Sequence, residues 1–205
     1  MAIVIETTYK VNNFKFNNFQ DAKTFDNFLS VFSTEQLKEL YDGYKKGINY
    51  KIYANPDFNA EQMKQAKLGL EKNLNIEIYF KTEYAHGQMF EIREGLESGI
   101  DISIYADPKF EAWQMGQIRA GLENKIDVSI YAKPEYTWQQ MFEIYLGIEK
   151  GIPVSLYANP KLKWEEMERI RKELEKVIEN NSDSNPTIDW YSEIQRITLE
   201  QESKK

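Results

Sequence analysis

The chain holds a single imidazole, His86, and closely spaced carboxylates occur at Glu91 and Glu94 and at Glu165 and Glu166. An imidazole or a pair of carboxylates could move protons as a general acid and base. Their positions point elsewhere. Glu165 and Glu166 fall at a helix start, Glu91 and Glu94 fall on an exposed helical face, and His86 occupies the first helical turn, at the place held by Trp138 and Trp164 further along. All five read as surface or packing residues. With no Cys and a single His, neither thiolate chemistry nor a Cys- or His-rich metal site can be built. Phosphate-binding glycine loops, GxSxG and HExxH are also missing from the sequence. We therefore expect no catalytic residue, no metal, no cofactor and no enzymatic activity.

Two other sets of residues could bind. A basic column, Lys67, Arg93, Arg119 and Arg171, invites a phosphate, but Glu71, Glu97, Glu123 and Glu175 follow each by four residues. At that helical spacing the expectation is a solvated ladder of ion pairs. The aromatics are the stronger signal. Trp113, Trp138 and Trp164 stand near helix starts, and Phe142 and Tyr145 stand beside a core stripe. Such rings either cover joints between structural units or serve as interface anchors, and these five are the candidate binding residues.

What positions them is a repeat. Tyr53, Tyr79, Tyr105, Tyr131 and Tyr157 recur every 26 residues, as do Met63, Met89, Met115, Met141 and Met167, with no insertion. A degenerate earlier copy carries Leu37 at the Met position and Gly43 at the position of Gly69. Fixed self-similarity of this length marks a stacked array. The fold expected is mainly α, a helical solenoid of about six 26-residue repeats over residues 31–178. A small cap precedes it at 1–30, and a polar linker with a short amphipathic helix follows at 179–205.

Ser33, Asn59 and Thr137, three residues before Gln36, Gln62 and Gln140, have capping-box spacing. Gly47, Gly99 and Gly151 are placed to end their helices in the left-handed conformation. Met89, Ile92 and Leu96 form one apolar stripe, with Arg93 and Glu97 on an exposed flank. The "DISIYA" and "DVSIYA" segments support two readings. Alternation of Ile100, Ile102 and Ile104 suits a short strand and an α/β solenoid, whereas Asp101 and Asp127 as N-caps suit a short helix. A glycine column, Gly43, Gly69, Gly95, Gly121 and Gly147, interrupts the long helices at about 1 kcal/mol each relative to Ala, which implies close approach by a neighbouring repeat's backbone or ring. Its last member is Glu173, suiting a terminal repeat with a polar outer face.

The net charge of −7 argues against direct nucleic-acid binding. The start "MAIVIETTYK" lacks a basic, apolar signal segment, and no run of residues suits a membrane span, so a cytoplasmic protein without a membrane partner is expected.

The line D-V-S-x-Y-A-x-P-x-[FY]-x-x-x-Q-M-x-x-I-R-x-G-L-E-x-G resembles a tandem repeat found in proteins of low-GC Gram-positive bacteria, their phages and mobile elements. It spans residues 31–178, and the repeat reading "YFKTEYAHGQM" departs from it, lacking the "YA-x-P" turn sequence. The resemblance brings no catalytic residues. Stacked repeats present an extended surface and no constellation here supports catalysis, so a non-enzymatic protein-binding repeat protein with a protein partner of basic character is expected; the resemblance implies its concrete form, an inhibitor of a host defence or nucleic-acid-processing protein. Capture of a small ligand such as a nucleotide, by the aromatics and the basic column, is the alternative.

Overall fold

The computed structural model describes residues 9–181 and 188–202. Its described residues form eight α-helices, one two-stranded sheet and five single 3-10 turns. The chain divides into two compact units, Met1–Arg93 and Glu94–Lys205.

The N-terminal unit opens with β1 (Tyr9–Val11) and β2 (Phe14–Phe16), an antiparallel hairpin pairing Tyr9 with Phe16. α1 (Phe19–Phe28) follows, capped by the Asn18 side chain on the Asp21 N–H. Phenylalanines dominate here because a short hairpin needs large apolar area to hold it. Phe16 lies 4.7 Å from Phe25 and 5.0 Å from Tyr44 between ring centres. The Tyr41 hydroxyl donates to the Lys15 carbonyl and accepts from the Lys15 N–H, fastening the hairpin to α2 (Thr34–Lys45).

The later helices are α3 (Ala60–Glu71), α4 (His86–Ser98), α5 (Ala112–Glu123), α6 (Trp138–Glu149), α7 (Trp164–Asn181) and α8 (Trp190–Glu202). Each of α2 to α6 is followed by one 3-10 turn. The ambiguous segments are therefore short helices: Asp101 and Asp127 accept from the N–H groups of Ser103 and Ser129, both at 3.0 Å, and no strand occurs there. In the departing repeat, Lys81 N–H to Tyr79 and Tyr84 N–H to Lys81 reproduce the turn seen at Asn55 and Phe58 without a proline, and Phe80 stacks on Phe58 at 3.8 Å. α7 runs on through 179–181, so the helix enters the expected linker, whose 182–187 lie outside the described residues.

Start and stop signals act as the sequence suggests. Full capping boxes occur at Ser33, Asn59 and Thr137. Residues 47, 73, 99, 125 and 151, one per repeat, are all left-handed: Gly47, Gly99, Gly151, Asn73 and Lys125. The next N–H in each case reaches back to the glycine-column carbonyl, as in Ile126 to Gly121 at 2.9 Å. Lys125 carries the steric cost of this conformation at φ 58°. Lys125→Gly should stabilise the protein by about 1 kcal/mol, measured as an upward shift in a denaturant midpoint.

In five of the repeats one Tyr and one Met lie at the centre of the core. Tyr53, Tyr79, Tyr105, Tyr131 and Tyr157 and the five Met residues ten positions on are all fully or almost fully buried, with Ile92, Ile118 and Ile144. Leu96, placed in the apolar stripe by its spacing, is only half buried, as is Leu122 at the same position of the next repeat. The glycine column explains the Tyr. A Cβ at Gly43 would lie 2.0 Å from the Tyr53 hydroxyl, and the same collision recurs at Gly69 with Tyr79, Gly95 with Tyr105, Gly121 with Tyr131 and Gly147 with Tyr157. The glycine thus admits a ring from the following repeat, whose hydroxyl donates to a helix carbonyl four residues earlier: Glu39 at 3.1 Å, Gln65 at 3.0 Å and Glu143 at 2.9 Å. Burial pushes the phenols of Tyr53, Tyr131 and Tyr157 up, so they stay donors. Glu173 has Asp183, not Tyr, ten residues later.

Candidate interaction surface

The surface is built on α5, α6 and α7 of the C-terminal unit. Where the Tyr column fills the joints, the tryptophans are left outside. Trp113, the second residue of α5, is 70% exposed, and Trp138 and Trp164, the first residues of α6 and α7, are exposed by a little over a third. Trp113 and Trp138 meet at 6.0 Å between ring centres and an angle of 37°. Phe142, one turn beyond Trp138, is 39% exposed and lies nearly parallel to Tyr145 at 6.4 Å and 7°. The Tyr145 hydroxyl accepts from the side-chain amide of Asn124, the residue that follows α5, at 3.2 Å. Spacing explains the stripe, since 138, 142 and 145 share one helical face while Met141 and Ile144 point inward. Four of the five candidate residues are thus gathered in two ring pairs. Trp164 stands apart, stacked on none of the others.

The basic column differs from the solvated ladder expected. Lys67, Arg93 and Arg171 are buried, and Arg119 is half buried. The three buried ones have partners on the preceding helix, 28 residues earlier: Lys67 Nζ to Glu39 at 2.7 Å, Arg93 Nε to Gln65 at 3.0 Å, and Arg171 Nε to Glu143 at 2.7 Å. The i+4 pairs of the sequence reading exist at Arg119–Glu123 and Arg171–Glu175, both 2.8 Å. Burial alone would lower the Lys67 ammonium, but hydrogen bonds to Asp42 and Glu39 outweigh it and hold the group above its ordinary value. The sequence reading fails here because a long basic side chain lying across a helix joint keeps its hydrophilic end in an ion pair and its stem out of water.

A second feature was visible only as a capping box. Gln36, Gln62, Gln88, Gln114 and Gln140 are all buried. Each side-chain oxygen accepts from its own helix cap, as at Thr137 N–H at 2.7 Å. The amide of Gln36 donates to the Phe58 carbonyl at 2.6 Å, that of Gln62 to Tyr84 at 2.8 Å, and that of Gln140 to Pro160 at 3.1 Å and to Leu162. One residue therefore ties a helix start to the turn of the following repeat. The period-26 recurrence of Gln, ending in Glu166, is the signal that could have revealed it.

The acid/base candidates do not assemble. His86 is exposed, at the rim of an open groove of about 800 Å³ whose other walls include Ser33, Glu35, Lys38 and Asp57. Glu166 is engaged by Arg169 at 2.8 Å. No group of three or more metal-ligating side chains is found among the described residues, nor a helix long and apolar enough to cross a membrane.

Comparison with protein-family models, curated proteins and solved structures yields no match.

Proposed function

We propose that the repeats form a continuous helical solenoid and that this protein acts by binding another protein, without catalysis, through the aromatic face of α5 and α6. The observation that carries this reading is Trp113, a large ring 70% exposed and paired with Trp138. Clustered exposed aromatics are the anchors that protein interfaces use. The resemblance to repeats of phages and mobile elements makes an inhibitor of a host defence or nucleic-acid-processing protein, acting in the bacterial cytoplasm, the concrete form of the proposal. Nucleotide capture is favoured less, because the basic column that would meet phosphates is largely enclosed and ion-paired.

Affinity capture from a low-GC Gram-positive lysate tests this. Wild-type protein should retain one protein in stoichiometric amount, and a Trp113→Ala/Trp138→Ala variant with an unchanged melting curve should lose it. Retention unaffected by the double variant, or release of a small molecule from purified wild-type protein with no retained protein, would reject the reading.

A further inference from the structure

α6 departs from the repeat beside the aromatic stripe. At the position of Lys67, Arg93, Arg119 and Arg171 it carries Tyr145, yet four residues on it keeps the acid, Glu149, that matches Glu71, Glu97, Glu123 and Glu175. In this column Glu123 and Glu175 are paired with their own repeat's arginine and Glu71 with Lys46. Glu149 is exposed and has no ion pair among the described residues. It ends a line, Trp138, Phe142, Tyr145 and Glu149, along one face of α6. The surrounding charge has the same sign: residues 94–205 hold 21 acidic against 14 basic side chains, whereas residues 1–93 hold 12 of each.

Building on the proposed binding role of this face, we infer that α6 takes an arginine-bearing segment of a partner polypeptide, whose guanidinium replaces the cation missing from the column. The plane of the guanidinium lies on the nearly parallel Phe142 and Tyr145 rings, the first exposed and the second half buried, and its N–H groups meet the Glu149 carboxylate. A planar, weakly hydrated cation stacks on aromatic faces better than an ammonium. The same unit's Arg171 shows how this repeat seats a guanidinium, with carboxylates at 2.7 and 2.8 Å. An acidic field over the unit speeds encounter with such a partner.

The test is fluorescence anisotropy with a labelled peptide of alternating arginine and glycine, beside lysine and glutamate counterparts. The arginine peptide should bind, the lysine peptide several-fold more weakly and the glutamate peptide not at all. Glu149→Gln should weaken arginine-peptide binding about tenfold. Tyr145→Arg should weaken it at least as much, since it restores the repeat's own cation, which Gln117 can receive as Gln65 receives Arg93. Glu123→Gln, whose carboxylate is already paired, should leave it unchanged. Equal binding of the lysine and arginine peptides, with neither Tyr145→Arg nor Glu149→Gln having an effect, would overturn the inference in favour of diffuse acidity. If no peptide binds while Trp113→Ala/Trp138→Ala still loses the captured protein, the arginine assignment fails and the aromatic interface stands.

Discussion

Replacing Gly43 by alanine is expected to destabilise the N-terminal unit by about 2 kcal/mol, although alanine is the better helix former. The new methyl would lie 2.0 Å from the Tyr53 hydroxyl and 3.2 Å from its ring carbon, with Tyr50 at an ordinary 3.7 Å. The obstruction is thus almost wholly one oxygen atom. Tyr53→Phe alone should cost about 1 kcal/mol through the lost bond to the Glu39 carbonyl. In that background Gly43→Ala should be neutral or mildly stabilising, a coupling of about 2 kcal/mol between positions ten residues apart. Glu173→Ala, at the same repeat position in α7, should change stability by less than about 0.5 kcal/mol. Denaturant midpoints of the four variants and wild type measure all of this. Additive effects at Gly43 and Tyr53 would show that the ring does not occupy the glycine's space.

Gln140→Glu should be the most damaging isosteric change, costing about 3–5 kcal/mol at neutral pH. The side chain is buried, its oxygen already serves the Thr137 N–H, and its amide faces the carbonyls of Pro160 and Leu162. A carboxylate there keeps the first bond, loses the others and sets a negative charge against two carbonyl oxygens. The effect should shrink on acidification, because a protonated carboxyl recovers a donor. Loss of stability that is equal at pH 5 and pH 8, or a loss no larger than that of Gln140→Ala, would show that the amide does not bridge the repeats.

Much of the fold could be read from spacing. Helix starts at Ser33, Asn59 and Thr137 and stops at Gly47, Gly99 and Gly151 follow from local chemistry that needs no partner. The buried Tyr and Met columns follow from the period, and the glycine column correctly announced a close approach. What the sequence concealed were contacts between repeats. Positions 28 apart, such as Glu143 and Arg171, have no local relation, so the basic column looked like an exposed i+4 ladder until the preceding helix was in place. The same limit applied to Gln140, whose cap is local and whose bridge is not. At the candidate surface, helix periodicity brought Trp138, Phe142 and Tyr145 to one face, but the pairing of Trp113 with Trp138 needed the α5–α6 packing.

Hydroxyl-radical footprinting of the captured complex tests the central claim most directly, because it reads each ring where it stands. Trp113, the most exposed of the three repeat tryptophans, should be strongly modified in the free protein. In the complex, modification of Trp113, Trp138 and Phe142 should fall several-fold together, while the groove edge at His86 is unchanged. Continued modification of Trp113 at its free rate, with protection appearing instead around Ser33, Asp57 and His86, would contradict the account and move the binding site to the N-terminal unit.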